Sequence, residues 1–212
     1  NRLNADLVGY YNFNGGTLND SSGYNNHIVF NNATKTTDKF GNANNAYLFN
    51  GTSSYMRVPH NNSLNLGLHL TLSARIKFNG FYTGPCSVNN ILDKGTPDFT
   101  PGQYALRAGY YTGDCNSPTD VTKIKFNAGI EAAGNNMLTD TFLLKTNVWY
   151  DVVYTYDGQY SLIYVDGKLQ KKLAVSIPTP GQNNHDLFIG KHNQDIFPYW
   201  VNGVIRSEEH TS

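Results

Sequence analysis

WYDVVYTYDGQYSLIYVDGKL, residues 149–169, decides the fold. Two Asp-Gly dipeptides, Asp157-Gly158 and Asp166-Gly167, divide runs of aromatic and β-branched residues. Asp-Gly suits a two-residue type I′ hairpin turn, because both central residues need positive φ. The first turn is expected to pair Tyr156 with Gln159, Tyr154 with Ser161, Val152 with Ile163 and Tyr150 with Val165. One face then carries Tyr150, Val152, Tyr154, Tyr156, Ile163 and Val165, which reads as a core face. The other carries Asp151, Val153, Thr155, Tyr160, Leu162 and Tyr164 and is mixed. Side chains alternate with a period of two along a strand, so turn and pattern together set the register.

Outward from this unit the same signal repeats. Short apolar runs bounded by Gly, Asn, Asp and Pro predict further strands over 7–13, 46–49, 55–58, 70–78, 90–92, 104–110, 123–126, 187–191 and 200–205, with 167–174 following the second turn. No stretch shows helical periodicity. Fifteen Tyr and 11 Phe favour strands, and Asn, Gly, Ser and Thr supply polarity in place of charge. Many short strands without linker or repeat predict an all-β chain, a two-sheet antiparallel β-sandwich with jelly-roll topology, as one domain over 1–205.

Formal net charge is zero and only 15% of residues are charged. Nucleic acid would call for a basic patch, so it is not an expected partner. The one basic cluster, Lys168, Lys171 and Lys172, follows the second turn and reads as a solvated edge that discourages strand pairing. No apolar run approaches the ~18 residues of a membrane span, and no membrane insertion is expected. Cys86 and Cys115 flank two predicted strands. If the connection centres near Thr100 and Pro101 the two face each other, and a disulfide is expected. That implies an oxidising compartment, outside the cell or at its surface. Two unrelated buried thiols are the alternative. Two Cys with no nearby His make no zinc site.

Aromatic residues in or beside loops are the candidate ligand platform: Tyr82, Tyr110, Tyr111, Tyr199 and Trp200. Sugar rings stack on aromatic faces through their apolar C–H faces and need polar partners for their hydroxyls, here Arg107 and neighbouring Asn and Asp. Catalysis has no matching pattern. Glycoside hydrolysis usually takes two carboxylates, and no closely spaced acids share a strand. Asp151 stands alone, and His27, His60, His69, His185 and His192 are scattered. Four N-x-S/T sequons, at Asn19, Asn32, Asn50 and Asn61, are what an Asn-rich chain produces by chance.

In order along the chain, LVGYYNFNGGTLNDSSGYNNH (7–27), DKFGNANNAYLFNG (38–51), YMRVPHNNSLNL (55–66), LTLSARIKF (70–78), ILDKG (91–95), YALR (104–107), residues 149–169, LFIGKH (187–192) and WVNGVI (200–205) resemble the laminin-G-like jelly-roll family of the concanavalin A-like lectin/glucanase fold. The resemblance implies two antiparallel sheets of six or seven strands, packed face to face. It also implies that the loop at Asp20 helps hold Ca2+, with Asn25, Asn26 and a carbonyl near Ser22 as further oxygens. Asp20 can equally close an Asx turn on its own backbone. Relatives usually continue NGxID at the C-terminus, and Arg206 stands here at the acid's place.

Residues 206–212, RSEEHTS, hold two of the chain's three glutamates and continue no strand pattern. The heptapeptide is what a common short-read sequencing adapter encodes in one frame. The tail is therefore expected to be non-native, the mark of a metagenomic gene fragment. The expected function is a non-catalytic carbohydrate-binding or adhesion module of a larger secreted or cell-surface protein, with a glycan or extracellular protein as partner. A protein-interaction or structural module of the same fold is the alternative, and a polysaccharide hydrolase or lyase ranks below both.

Overall fold

A computed structural model describes residues 7–84, 87–95, 101–110, 120–131, 138–176 and 181–211. The strands are β1 (Leu7–Tyr11), β2 (Phe30–Asn31), β3 (Thr34–Thr36), β4 (Ala46–Asn50), β5 (Met56–Val58), β6 (Leu70–Gly80), β7 (Val88–Lys94), β8 (Gln103–Gly109), β9 (Lys125–Glu131), β10 (Leu138–Thr139), β11 (Trp149–Tyr156), β12 (Tyr160–Val165), β13 (Lys168–Ala174), β14 (Leu187–Ile189) and β15 (Asn202–Thr211). They form two antiparallel sheets. Sheet A has the order β13-β12-β11-β6-β15-β4-β3, with β1 also on β15, and sheet B has the order β10-β9-β8-β7-β14-β5-β2. The chain is the expected all-β sandwich.

In sheet A the period-two pattern becomes burial directly. Tyr150, Val152, Tyr154, Tyr156, Ile163 and Val165 all face the core, while their neighbours along β11 and β12 are only half-buried. The faces are as the sequence predicts, but the first turn is not. Tyr156 pairs with Ser161, Tyr154 with Ile163 and Val152 with Val165. The Asp157 carboxylate accepts the Gln159 and Tyr160 N–H groups at 2.9 and 2.7 Å, so its side chain builds an Asx turn and lengthens the connection. The shift is two residues, which preserves every face. Asp166-Gly167 is the true two-residue turn: both have positive φ, and Val165 pairs with Lys168. The lysine-rich β13 is the outer strand of sheet A, as expected.

The last strand does not end at Ile205. After an irregularity at Arg206, β15 pairs Ser207 to Thr211 with β6, and its last residues also meet β1. Side-chain patterning gave no hint of this, because strand membership here follows from two neighbouring backbones that both offer unpaired groups. Arg206 turns aside and donates to Asn14 Oδ1 at 3.4 Å.

Sheet B departs from simple alternation. β7 and β8 are buried on nearly every residue, on both faces. The core face carries Leu92, Leu106, Ile189, Met56 and their neighbours. The outer face carries buried polar groups: Asn90, Asp93 and Gln103. Polar side chains buried on the side of a sheet away from the core are costly unless paired, which makes this face a candidate site.

Asp140, just past β10, is another buried acid. Its Oδ1 accepts the Phe142 N–H at 3.1 Å, and its Oδ2 is buried without a hydrogen-bond partner. Burial pushes the carboxyl from 3.8 up to about 7, against the pull of the Phe142 N–H and of Lys125. The folded chain then holds this proton more tightly than the unfolded chain. This carboxyl's contribution to stability is fully present below about pH 4 and is lost as pH rises through about 7. Asp140→Asn is expected to raise the melting temperature by several degrees at pH 8 and to leave it unchanged at pH 4. Equal shifts at both pH values would contradict this account.

Candidate ligand-binding face

Antiparallel partners point to the same side of a sheet. On the outer face of sheet B, Ala105 of β8, Asp93 of β7, Phe188 of β14, Arg57 of β5 and Phe30 of β2 therefore stand in one row across five strands. Strand spacing sets steps of about 4.8 Å along that row. Arg57 is tied to Asp186 at 2.8 Å, and the other Asp186 oxygen accepts the His60 N–H.

A hairpin from Gly190 to Val201 lies beside this row. Gly190 N donates to Ile91 O, Asn90 N donates to Tyr199 O, and Val201 N donates to Gly190 O. The contact falls where the β7–β8 register slips between Asn90 and Leu92. A bulge of this kind frees backbone groups and re-aims side chains. Gly190 must be glycine: its φ is +85°, and a Cβ there would sit 2.3 Å from the Phe49 ring.

The hairpin brings His192 to the buried acid. Arg107 Nη2 donates to Asp93 Oδ2 at 3.1 Å, and His192 Nε2 lies 4.0 Å from the same oxygen. The Asn90 and Gln103 carboxamides face the acid too, without reaching hydrogen-bond geometry, and Asp93 Oδ1 has no hydrogen-bond partner. Burial pushes the Asp93 carboxyl up to about 6, opposed by the Arg107 charge. His192 stacks on Tyr199, with ring centroids 5.0 Å apart, and Tyr82 meets Tyr199 edge-on at 6.4 Å. Four of the sequence candidates, Tyr82, Arg107, Tyr199 and Trp200, thus gather around one face.

Trp200 belongs to a second group on that face. Tyr55 stacks on Phe30 at 4.6 Å and lies 5.9 Å from Phe188 and 6.2 Å from Trp200. The Lys191 ammonium sits among three of these rings, 5.1 Å from Tyr55, 5.6 Å from Phe188 and 5.2 Å from Trp200. Distances under about 6 Å place the charge in the attraction of each ring.

Tyr110 does not join them. It packs against the core, with Lys123 5.3 Å over its ring. It follows β8 directly. Tyr111 and the pair Cys86 and Cys115 lie outside the described residues. Sequence reasoning missed Asp93, His192, Lys191, Tyr55 and Phe188. ILDKG and LFIGKH held four of them but read only as strand signatures.

At the other candidate site, the Asp20 carboxylate accepts four hydrogen bonds, from the N–H groups of Tyr10, Ser22 and Asn26 and from the Ser22 hydroxyl. It closes an Asx turn and ties the loop to β1. Asn26 donates to Val8 O and Ser63 Oγ, and its Oδ1 is buried without a hydrogen-bond partner. Asn25 is exposed, at φ 60°. Were a cation bound here, the Asp20 carboxylate and Asn26 Oδ1 are the oxygens that would hold it. Asp151 is taken up by ion pairs with Arg75 and Lys39.

A model of the concanavalin A-like lectin/glucanases superfamily, a laminin-G type, matches residues 50–207. The chain belongs to this superfamily. No curated protein matches it in sequence. Among solved structures it is similar to domain 4 of AbnA, a GH43 extracellular arabinanase from Geobacillus stearothermophilus, solved in complex with arabinotriose. That likeness has a TM-score of 0.64 at 15% identity, over 98% of this chain and 92% of that one. It is also similar to the binding domain of Paraclostridial Mosquitocidal Protein 1, with a TM-score of 0.70 at 11% identity over 99% of this chain. The binding domain of botulinum neurotoxin serotype D gives 0.66 at 15% over the whole chain. This chain spans about half of each toxin domain, 49% in both cases. Likeness at these identities carries the superfamily's fold and no particular ligand.

Proposed function

We propose that this chain is a non-catalytic carbohydrate-binding module that works outside the cell as part of a larger secreted or cell-surface protein. The observation that carries the reading is the platform of Tyr55, Phe188 and Trp200 beside the Asp93–Arg107 pair on one sheet face. Aromatic faces offer stacking to sugar rings, and the neighbouring charged and amide groups offer partners to hydroxyls. The arabinotriose complex of the AbnA domain gives the same reading a precedent in this fold. Against turnover, Asp93 is buried under Arg107, and Asp186 is committed to Arg57 and His60 N. Hydrolysis would need two carboxylates free to flank a glycosidic bond.

A glycan array that includes arabinan oligomers is the test, run beside a reducing-end assay. Binding without new reducing ends is expected. Cleavage lost on Asp93→Asn would overturn the non-catalytic reading. A second reading, docking of an extracellular protein, is favoured by Ile196, which is 80% exposed on the same hairpin. A blank array with a protein captured through Ile196 would select it. Calcium enters the proposal as a structural ligand of the Asp20 loop. Added Ca2+ is expected to raise the melting temperature, and Asp20→Asn to abolish the rise; an unchanged melt removes the ion from the account.

A further inference from the structure

Resting on the glycan-binding reading, we infer that the platform selects acidic sugars and that Lys191 receives a uronate carboxylate in the place now held by Asp195. Lys191 is almost wholly buried, yet its ammonium is paired at 3.2 Å with Asp195, whose side chain is fully exposed. Among the described residues Asp195 is the one anion within ion-pair distance of Lys191. A carboxylate that stands in water and still reaches the ammonium shows that the charge is open to anions from the solvent side. The group already seated there is a carboxylate, so the incoming group of matching chemistry is also one.

The surroundings fit a pyranose that bears it. Lys191 lies 5.1 Å from the Tyr55 ring centroid and 5.2 Å from that of Trp200, and both residues are half-buried. A sugar laid on either ring places a ring substituent within reach of the ammonium. The buried side chain, with its ammonium held among these rings, has little freedom left to lose when an anion binds. The competing bond is weak, since Asp195 stands in water and holds the ammonium through a single solvent-screened contact. Asp195 therefore acts as a tethered stand-in that an external carboxylate displaces. Arg57, 40% exposed on the same face, offers a second cation to a polymer of such sugars.

The test is calorimetric titration of the whole chain with a galacturonate pentamer, its methyl ester and a neutral galactose pentamer. The acid is expected to bind at least ten-fold more tightly than the other two, and the advantage should shrink as salt rises from 50 to 500 mM. Lys191→Met keeps the stem on the rings and should level the three affinities. Lys191→Arg should keep the preference. Asp195→Asn should tighten acid binding about three-fold, in line with loss of a weak competitor. Equal wild-type affinities, or a preference that survives Lys191→Met, would overturn the acidic-sugar inference. The wider function would stand in that case if Trp200→Ala still abolished binding of the neutral pentamer. Failure of all three glycans to bind would overturn the acidic-sugar inference alone, and a blank glycan array would be needed to sink the wider reading.

Discussion

Ile163→Ala is expected to destabilise the domain by about 2–5 kcal/mol, the usual cost of emptying a packed aliphatic site. Ile163 is fully buried, and its partner across the hairpin is Tyr154, itself fully buried with its hydroxyl bonded to Ser161 at 2.9 Å. A tyrosine anchored at its tip cannot slide into the space, so the cavity stays open and the cost belongs in the upper part of that range. For a chain of this length each kcal/mol lowers the melting temperature by about 2–4 °C. A drop of roughly 7–20 °C is therefore expected by calorimetry. Leu162→Ala, on the half-buried outer face, should cost under about 1 kcal/mol. Equal drops in the two variants would mean that the faces of β12 have been exchanged.

Trp200→Ala carries the largest expected effect on binding. Trp200 flanks Tyr55 and Lys191, so its removal takes a stacking surface and one wall of the ammonium's surroundings together. Aromatic anchors at the centre of a binding face typically contribute 2 kcal/mol or more, about 30-fold in affinity. A loss of that size is expected for any glycan that binds the wild type, with a melt within a few degrees of it because Trp200 is only half-buried. Trp200→Phe keeps an apolar ring face and should restore most of the affinity. Full affinity in Trp200→Ala would move the site elsewhere on the molecule.

The hairpin of β11 and β12 was legible because its causes are local: alternation along fifteen or so residues and two turn dipeptides. Even there the Asp157 carboxylate reset the register by two, a side-chain hydrogen bond that a dipeptide rule does not weigh. The strands at 30–31, 34–36 and 138–139 are too short to carry a pattern and exist because a neighbour pairs with them. The site divides in the same way. Tyr82, Tyr199 and Trp200 were legible as aromatics near loops, and Arg107 as a polar partner for sugar hydroxyls. Asp93 and His192 did not, because nothing nearby in sequence distinguishes them. Their meaning comes from the hairpin that docks on the β7 bulge and buries a polar outer face. The row from Asp93 through Phe188 and Arg57 to Phe30 is likewise a product of strand order, which alternation alone does not reveal.

The central claim is that the outer face of sheet B binds sugar. An NMR titration of the isotope-labelled chain with the tightest array ligand tests it most directly. The account predicts saturable shift changes concentrated at Tyr55, Arg107, Phe188, Lys191, His192, Tyr199 and Trp200. Shift changes confined to sheet A or to the Asp20 loop, with those seven residues unmoved at saturation, would contradict it.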